Sequence, residues 1–173
     1  MTDMNQTGAA IAIGPRIVAS GGFDLLYREG MALIEEVASY LDGDGRAESR
    51  ILSREASFVY ATESMRLTTR LMQVASWLLL QRAINNGEMT RDQVVNEKKK
   101  VRLDAFNIDR TAPGWTDLPA DFRELVEKST RLQNRVAVLD REIYRPSDPL
   151  PAANNQNSVQ AQLWLLKTAF GGH

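Results

Sequence analysis

A chain of 173 residues, 43% apolar and 25% charged, has the size and composition of one soluble globular domain with room for an arm or tail. Its formal charge of −1 gives no overall pull toward nucleic acid or an anionic membrane. Cysteine is absent, which excludes disulfides, thiolate metal sites and cysteine nucleophiles and fits a reducing cytoplasm.

Residues 1–22 are rich in Gly, Ala, Thr and Asn, carry Gly14-Pro15 and Gly21-Gly22 as breakers, and show no secretory signal, so they read as a mobile N-terminal arm. A first helix is predicted from Phe23 to about Asp42, because Leu26, Leu33, Ile34, Val37 and Leu41 recur at helical spacing while Arg28, Glu29, Glu35 and Glu36 take other faces. Gly43-Asp44-Gly45 is expected to end it.

Ser53 is placed to cap a second helix that stops at Asn85-Asn86-Gly87, where glycine accepts a left-handed turn. This long central helix is uninterrupted by Gly or Pro and runs roughly 45–50 Å. Toward its end it is apolar on nearly every face: Leu71, Met72, Val74, Ala75, Trp77, Leu78, Leu79, Leu80 and Ile84 exceed the stripe of about 100° that one neighbour covers. Gln73, Ser76, Gln81 and Arg82 interrupt it, so it falls short of the roughly 20 apolar residues of a membrane span. Two shorter helices of one chain cannot easily bury it, and self-association into a homodimer is expected.

Thr90-Arg91-Asp92-Gln93 has the form of a capping box opening a short helix to about Lys100. Lys98, Lys99, Lys100 and Arg102 form a basic cluster, which reads first as a solvated helix end favoured by the helix dipole and second as a phosphate contact. Residues Leu103 to Thr116 look irregular, with Pro113-Gly114 as a turn. Trp115 in that loop is read as a pin onto the bundle in preference to an exposed anchor.

A third long helix is predicted from about Leu118-Pro119 to before Pro146, since Phe122, Leu125, Ser129, Leu132, Val136, Leu139 and Ile143 alternate three and four apart. Three long helices make the predicted fold all-α: an antiparallel three-helix bundle over residues 23–145 with a long central helix, a flexible N-terminal arm and a C-terminal tail. In that tail, residues 146–173, a Pro/Asn linker precedes an apolar terminal segment with Leu163, Trp164, Leu165, Leu166 and Phe170. The segment either folds on docking to a partner's groove or packs back onto its own bundle.

Catalytic groups are scarce. The single histidine, His173, stands at the end behind two glycines with no scaffold to orient it, and no Glu-x-x-His pair or glycine-rich phosphate loop occurs. Glu63 is best read as the partner of Arg66 three residues on, not as an acid or base. No cofactor or metal is expected, and an enzyme is not. Candidate partner-contacting residues are Leu163, Trp164, Leu165, Leu166 and Phe170, together with Arg66 and Arg70 on condition that the two arginines are exposed.

The segments REGMALIEEVASYLDGDGR from Arg28 and YATESMRLTTRLMQVASWLLLQRAINNGEM from Tyr60 resemble the RcdA family, regulators of CtrA degradation in alphaproteobacteria, with the long-helix segment the most specific part. The resemblance runs from about Phe23 through the third helix. It implies a small, dimeric, non-catalytic helical adaptor of the cytoplasm with a flexible tail, which helps the ClpXP protease, primed by CpdR, to receive cell-cycle regulators directly or through the further adaptor PopA. The alternatives left by the residues themselves are a helical DNA-associated regulator using Lys98, Lys99, Lys100 and Arg102, or a purely structural dimer module.

Overall fold

The computed structural model describes residues 21–104 and 107–144. The expected arm and the tail segment Leu163 to Phe170 therefore lie outside the described residues, except that Gly21 and Gly22 already belong to the first helix. The elements among the described residues are all helical: α1 (Gly21–Asp42), α2 (Asp44–Ser49), α3 (Arg54–Asn85), α4 (Arg91–Lys98) and α5 (Ala120–Tyr144).

The boundaries of α3 follow from its caps. Ser53 Oγ accepts from the Ala56 amide at 3.2 Å, supplying an acceptor to a donor that the helix leaves unpaired. At the other end Asn86 closes the helix and Gly87 turns left-handed at φ 71°. The capping box of α4 is present in both directions, Gln93 N–H to Thr90 Oγ1 and Thr90 N–H to Gln93 Oε1.

The core is the shared interior of α1, α3 and α5. Phe23, Leu26, Leu33 and Val37 from α1 meet Leu67, Leu71, Val74, Trp77 and Leu78 from α3 and Phe122, Leu125, Leu132 and Val136 from α5, all buried. Gly30 lets α1 and α3 approach closely, since a Cβ there would stand 2.6 Å from a Leu78 methyl. The heptad seam predicted for α5 faces inward through Val136, and Leu139 and Ile143 extend it as half-buried contacts.

The directions of the helices differ from the expected antiparallel bundle. Glu29 pairs with Arg135 and Glu36 with Lys128, so α1 and α5 run oppositely. Between α3 and α5, however, Arg70 meets Ser129, Trp77 meets Asp140 and Gln81 meets Tyr144, so these two helices are parallel. The cause is the connection from 86 to 119, which returns the chain along the whole length of α3. It begins with α4 beside the end of α3 and finishes where Gly114 (φ 92°) presses on the Ala56 backbone at the start of α3. Trp115, 6% exposed and part of the core, pins this return, as its reading as a pin anticipated.

Gly43-Asp44-Gly45 does not simply stop the chain. Gly45 lies buried inside the short helix α2, and a Cβ on it would meet the Tyr40 ring at 2.5 Å and the Tyr60 hydroxyl at 2.7 Å. Both tyrosines also lie against Phe122, with ring centroids 6.2 and 4.5 Å away. The glycine is a packing residue that allows α2 to sit under two aromatic rings.

Two expectations about stability follow. Trp77→Ala should lower the unfolding free energy by about 3–5 kcal/mol and Ser53→Ala by about 1 kcal/mol in urea titrations. Burial, foremost, raises the hydroxyl pKa of Tyr40, Tyr60 and Tyr144 above the ordinary tyrosine value. The native state then holds protons that the unfolded chain releases, so their stabilisation is complete below pH about 10 and is lost as pH climbs through the raised native values. Urea midpoints should fall between about pH 9 and about pH 11, less steeply for Tyr40→Phe; an identical slope in that variant would place the titration elsewhere.

Candidate functional site

The two arginines proposed as partner contacts lie at different depths. Arg70 is 0% exposed, so the condition attached to it fails and it is withdrawn as a surface contact. The reason is helical phase: Arg70 follows Leu67 and Glu63 on the face of α3 turned to α5, where its guanidinium donates to Ser129 Oγ at 2.9 Å. Burial lowers its pKa, partly opposed by the charge of Glu63. Arg66 is half-buried and donates to Glu63 Oε1 at 2.7 Å, the pairing expected for that spacing. Its outer edge remains reachable.

The basic cluster is largely committed within the fold. Lys98 Nζ contacts Asp140 Oδ2 at 2.6 Å and lies over the Tyr144 ring, while the other Asp140 oxygen accepts from Trp77 Nε1 at 2.7 Å. Gln81 donates to the Tyr144 hydroxyl, and Arg91 donates to the Ile143 carbonyl. This network ties α4 to the ends of α3 and α5. Lys100 pairs with Glu97 and Lys99 with Asn96. Such an arrangement gives the cluster a structural role and leaves little to favour a DNA-associated reading.

A different surface stands out. Along α3 the exposed positions between Glu55 and Arg82 are Phe58, Ala61, Met65, Thr68, Thr69, Met72, Ser76 and Leu79, and none is charged. Phe58 is 75% exposed, Met65 71%, Met72 64% and Leu79 52%, four large apolar side chains spaced seven apart. On and beside this face Thr62, Thr68 and Ser76 each donate to the carbonyl four residues back at 2.9 Å. Beside this face, α1 and α3 enclose a groove of about 180 Å³ lined by Ile34, Val37, Ala38, Leu41, Thr68, Leu71, Met72 and Ala75. The face and groove form one continuous apolar surface through Thr68, Met72 and Ala75.

Surplus apolar surface on this helix is expected from the sequence, but its period of seven is not evident in linear order. Glu63, Arg66 and Arg70 interrupt it in linear order, whereas in the fold Glu63 and Arg70 are buried and Arg66 is half-buried against Glu63. The signal that would have revealed it is the identity of every seventh residue from Phe58. Among the described residues no group of three or more His, Asp or Glu side chains is arranged to hold a metal ion, and no helix is long and apolar enough to cross a membrane.

Comparison with known proteins agrees with the resemblance read from the sequence. The family described as "Protein of unknown function (DUF1465)" matches residues 14–170. The crystal structure of RcdA from Caulobacter crescentus CB15 is 46% identical to this chain with a TM-score of 0.61, covering 79% of this chain and 100% of that one. Among curated proteins nothing matches.

The burial of Arg70 makes a prediction. Arg70→Ala should cost about 3 kcal/mol or more in urea unfolding, because it removes a buried cation facing Glu63 and the donor to Ser129. A loss below about 1 kcal/mol would mean that the guanidinium is hydrated and reachable from outside.

Proposed function

The chain belongs to the DUF1465 family, and from its likeness to RcdA we propose that it is an adaptor of regulated proteolysis, a non-enzymatic bundle that promotes degradation of cell-cycle regulators by the ClpXP protease. The observation that carries this reading is the 46% identity extending over the whole of the RcdA chain. The physical reading supports it, since the most prominent feature of the described surface is an uncharged apolar helix face suited to protein contact.

In this reading the adaptor acts in the cytoplasm as a homodimer and works by raising the local concentration of cargo at the protease, which requires binding and no bond making. One surface engages the protease primed by CpdR. Another takes cargo, such as a cell-cycle transcription regulator, or the further adaptor PopA. The terminal segment with Leu163, Trp164, Leu165, Leu166 and Phe170 provides one of these contacts on a tether, and Arg66 a polar contact on the bundle.

A reconstituted assay tests the proposal. Adding this chain to ClpXP and CpdR should accelerate degradation of a dependent substrate severalfold, and a chain ending at Arg145 should keep its helical circular-dichroism signal yet deliver poorly. No acceleration by the full chain would refute the adaptor role. Full delivery by the shortened chain would remove the terminal segment from it.

A further inference from the structure

We propose that the cleft between the start of α1 and the end of α3 is a docking site for an acidic peptide segment, in which Arg28 and Arg82 hold the carboxylate of an aspartate or glutamate and the rings beside them receive its apolar neighbour. The inference rests on the adaptor reading above and adds the chemistry by which cargo is recognised.

The cleft has a volume of about 480 Å³ and brings Phe23, Asp24, Tyr27 and Arg28 of α1 together with Arg82 of α3 and the capping Asn86. Its floor is aromatic: Phe23 is buried and Tyr27 half-buried, with their ring centroids 6.2 Å apart. Its rim is charged and open, since Asp24, Arg28 and Arg82 are all exposed.

Neither arginine is committed to the fold. Arg28 Nε donates to the Asp24 carbonyl at 3.3 Å, and its two terminal nitrogens have no partner among the described residues. The Arg82 guanidinium lies 4.7 Å from the centroid of the Tyr27 ring and makes no hydrogen bond or ion pair among the described residues. Elsewhere Arg66, Arg110 and Arg135 each pair with a glutamate. A cation in the last turn of a helix can serve the free carbonyls there, yet those of Arg82, Ala83 and Ile84 already accept from the backbone amides of residues 86 to 89. What remains is a guanidinium with one face fixed on a ring and its N–H edges unused, the form that grips a carboxylate through two parallel hydrogen bonds.

Charge selects the occupant. The Asn86 amide is tied to Glu88 at 3.1 Å, so the cleft presents two guanidiniums against the one carboxylate of Asp24. A single incoming carboxylate balances that excess, whereas a phosphate, with a charge of about −1.5 to −2, would exceed it and face Asp24. The aromatic floor suits an apolar side chain next to the acid. Because the rim is open, a segment can cross the cleft without ending in it, so an acidic side chain in mid-chain suffices.

Random peptides displayed as internal segments and selected on the immobilised full chain should yield sequences with Asp or Glu beside Leu, Ile or Phe. Synthesised with capped ends and a dye, such a peptide should bind the full chain in fluorescence anisotropy. Its affinity should fall at least about tenfold when its acid is replaced by the amide, and equally when the chain carries Arg28→Gln or Arg82→Gln. Arg82→Lys, which keeps the charge and loses the planar fork, should also weaken binding. All three variants alter exposed positions, and an unchanged circular-dichroism spectrum checks their fold. Selected peptides without acids, or binding indifferent to both glutamine variants, would overturn the proposal. Displacement of the peptide by inorganic phosphate and not by acetate at equal ionic strength would also overturn it and make the cleft a phosphate site. Acid-dependent binding in a chain that fails to accelerate degradation would refute the adaptor reading and leave the site standing. A chain that accelerates degradation yet selects no acidic peptide would do the reverse.

Discussion

Everything in this fold answers to the need to cover one 32-residue helix. A rod roughly 48 Å long cannot be enclosed by a single neighbour, so α5 takes one side, α1 a second, and α4 and the returning connection cover parts of the remainder. Each of those elements is held where it is by something on α3. Gly30 admits a Leu78 methyl, Gly114 presses on the Ala56 backbone, and the Trp77 indole finds its acceptor on Asp140 of α5. What is left is a stripe that nothing in the described chain covers.

The polar groups inside the bundle set its register. An unpaired charge in an apolar interior is strongly unfavourable, so Arg70 with Ser129 restricts how α3 and α5 slide or rotate against one another, while the buried Glu63 is paired within α3 by Arg66. Asp140 plays the corresponding part at the far end, accepting from Trp77 on α3 and from Lys98 on α4. These contacts recur along both helices in the same order, which is how they fix parallel α3 and α5 where an antiparallel pair would have served the apolar pattern as well. Phe122, wedged against Tyr40 and Tyr60, fixes the other end by shape.

The elements were legible in the sequence wherever a local signal decides the structure. Ser53, the Thr90–Gln93 box and Gly87 act within one turn, so the helix ends they dictate could be read directly. Features that depend on a distant partner were less accessible. Gly45 looks like a terminator until the rings of Tyr40 and Tyr60 are seen to need its missing side chain. Arg70 looks like a surface cation because its partner, Ser129, lies fifty-nine positions away. The direction of α5 depends on how far the 86–119 connection travels, and composition does not encode that. The uncharged face of α3 was hidden for a related reason: charges adjacent in sequence belong to opposite sides of the helix.

This last point bears on how a protein without an evident reaction centre can have a function. Apolar side chains left in water cost stability to the solution of monomers, and burial of each would favour association by about 1.5–3 kcal/mol if complete. Phe58, Met65, Met72 and Leu79 contribute nothing to the interior of their own bundle, since each remains more than half exposed. Their regular spacing on the helix that organises the fold links the two levels: the inner face of α3 specifies the bundle, and the outer face presents an uncharged apolar surface to the surroundings. An adaptor of the kind proposed needs this economy. One rigid helix, fixed from within by Arg70 and Trp77, holds its outward side chains in constant register, so a partner meets a preformed surface and little ordering entropy is lost on binding.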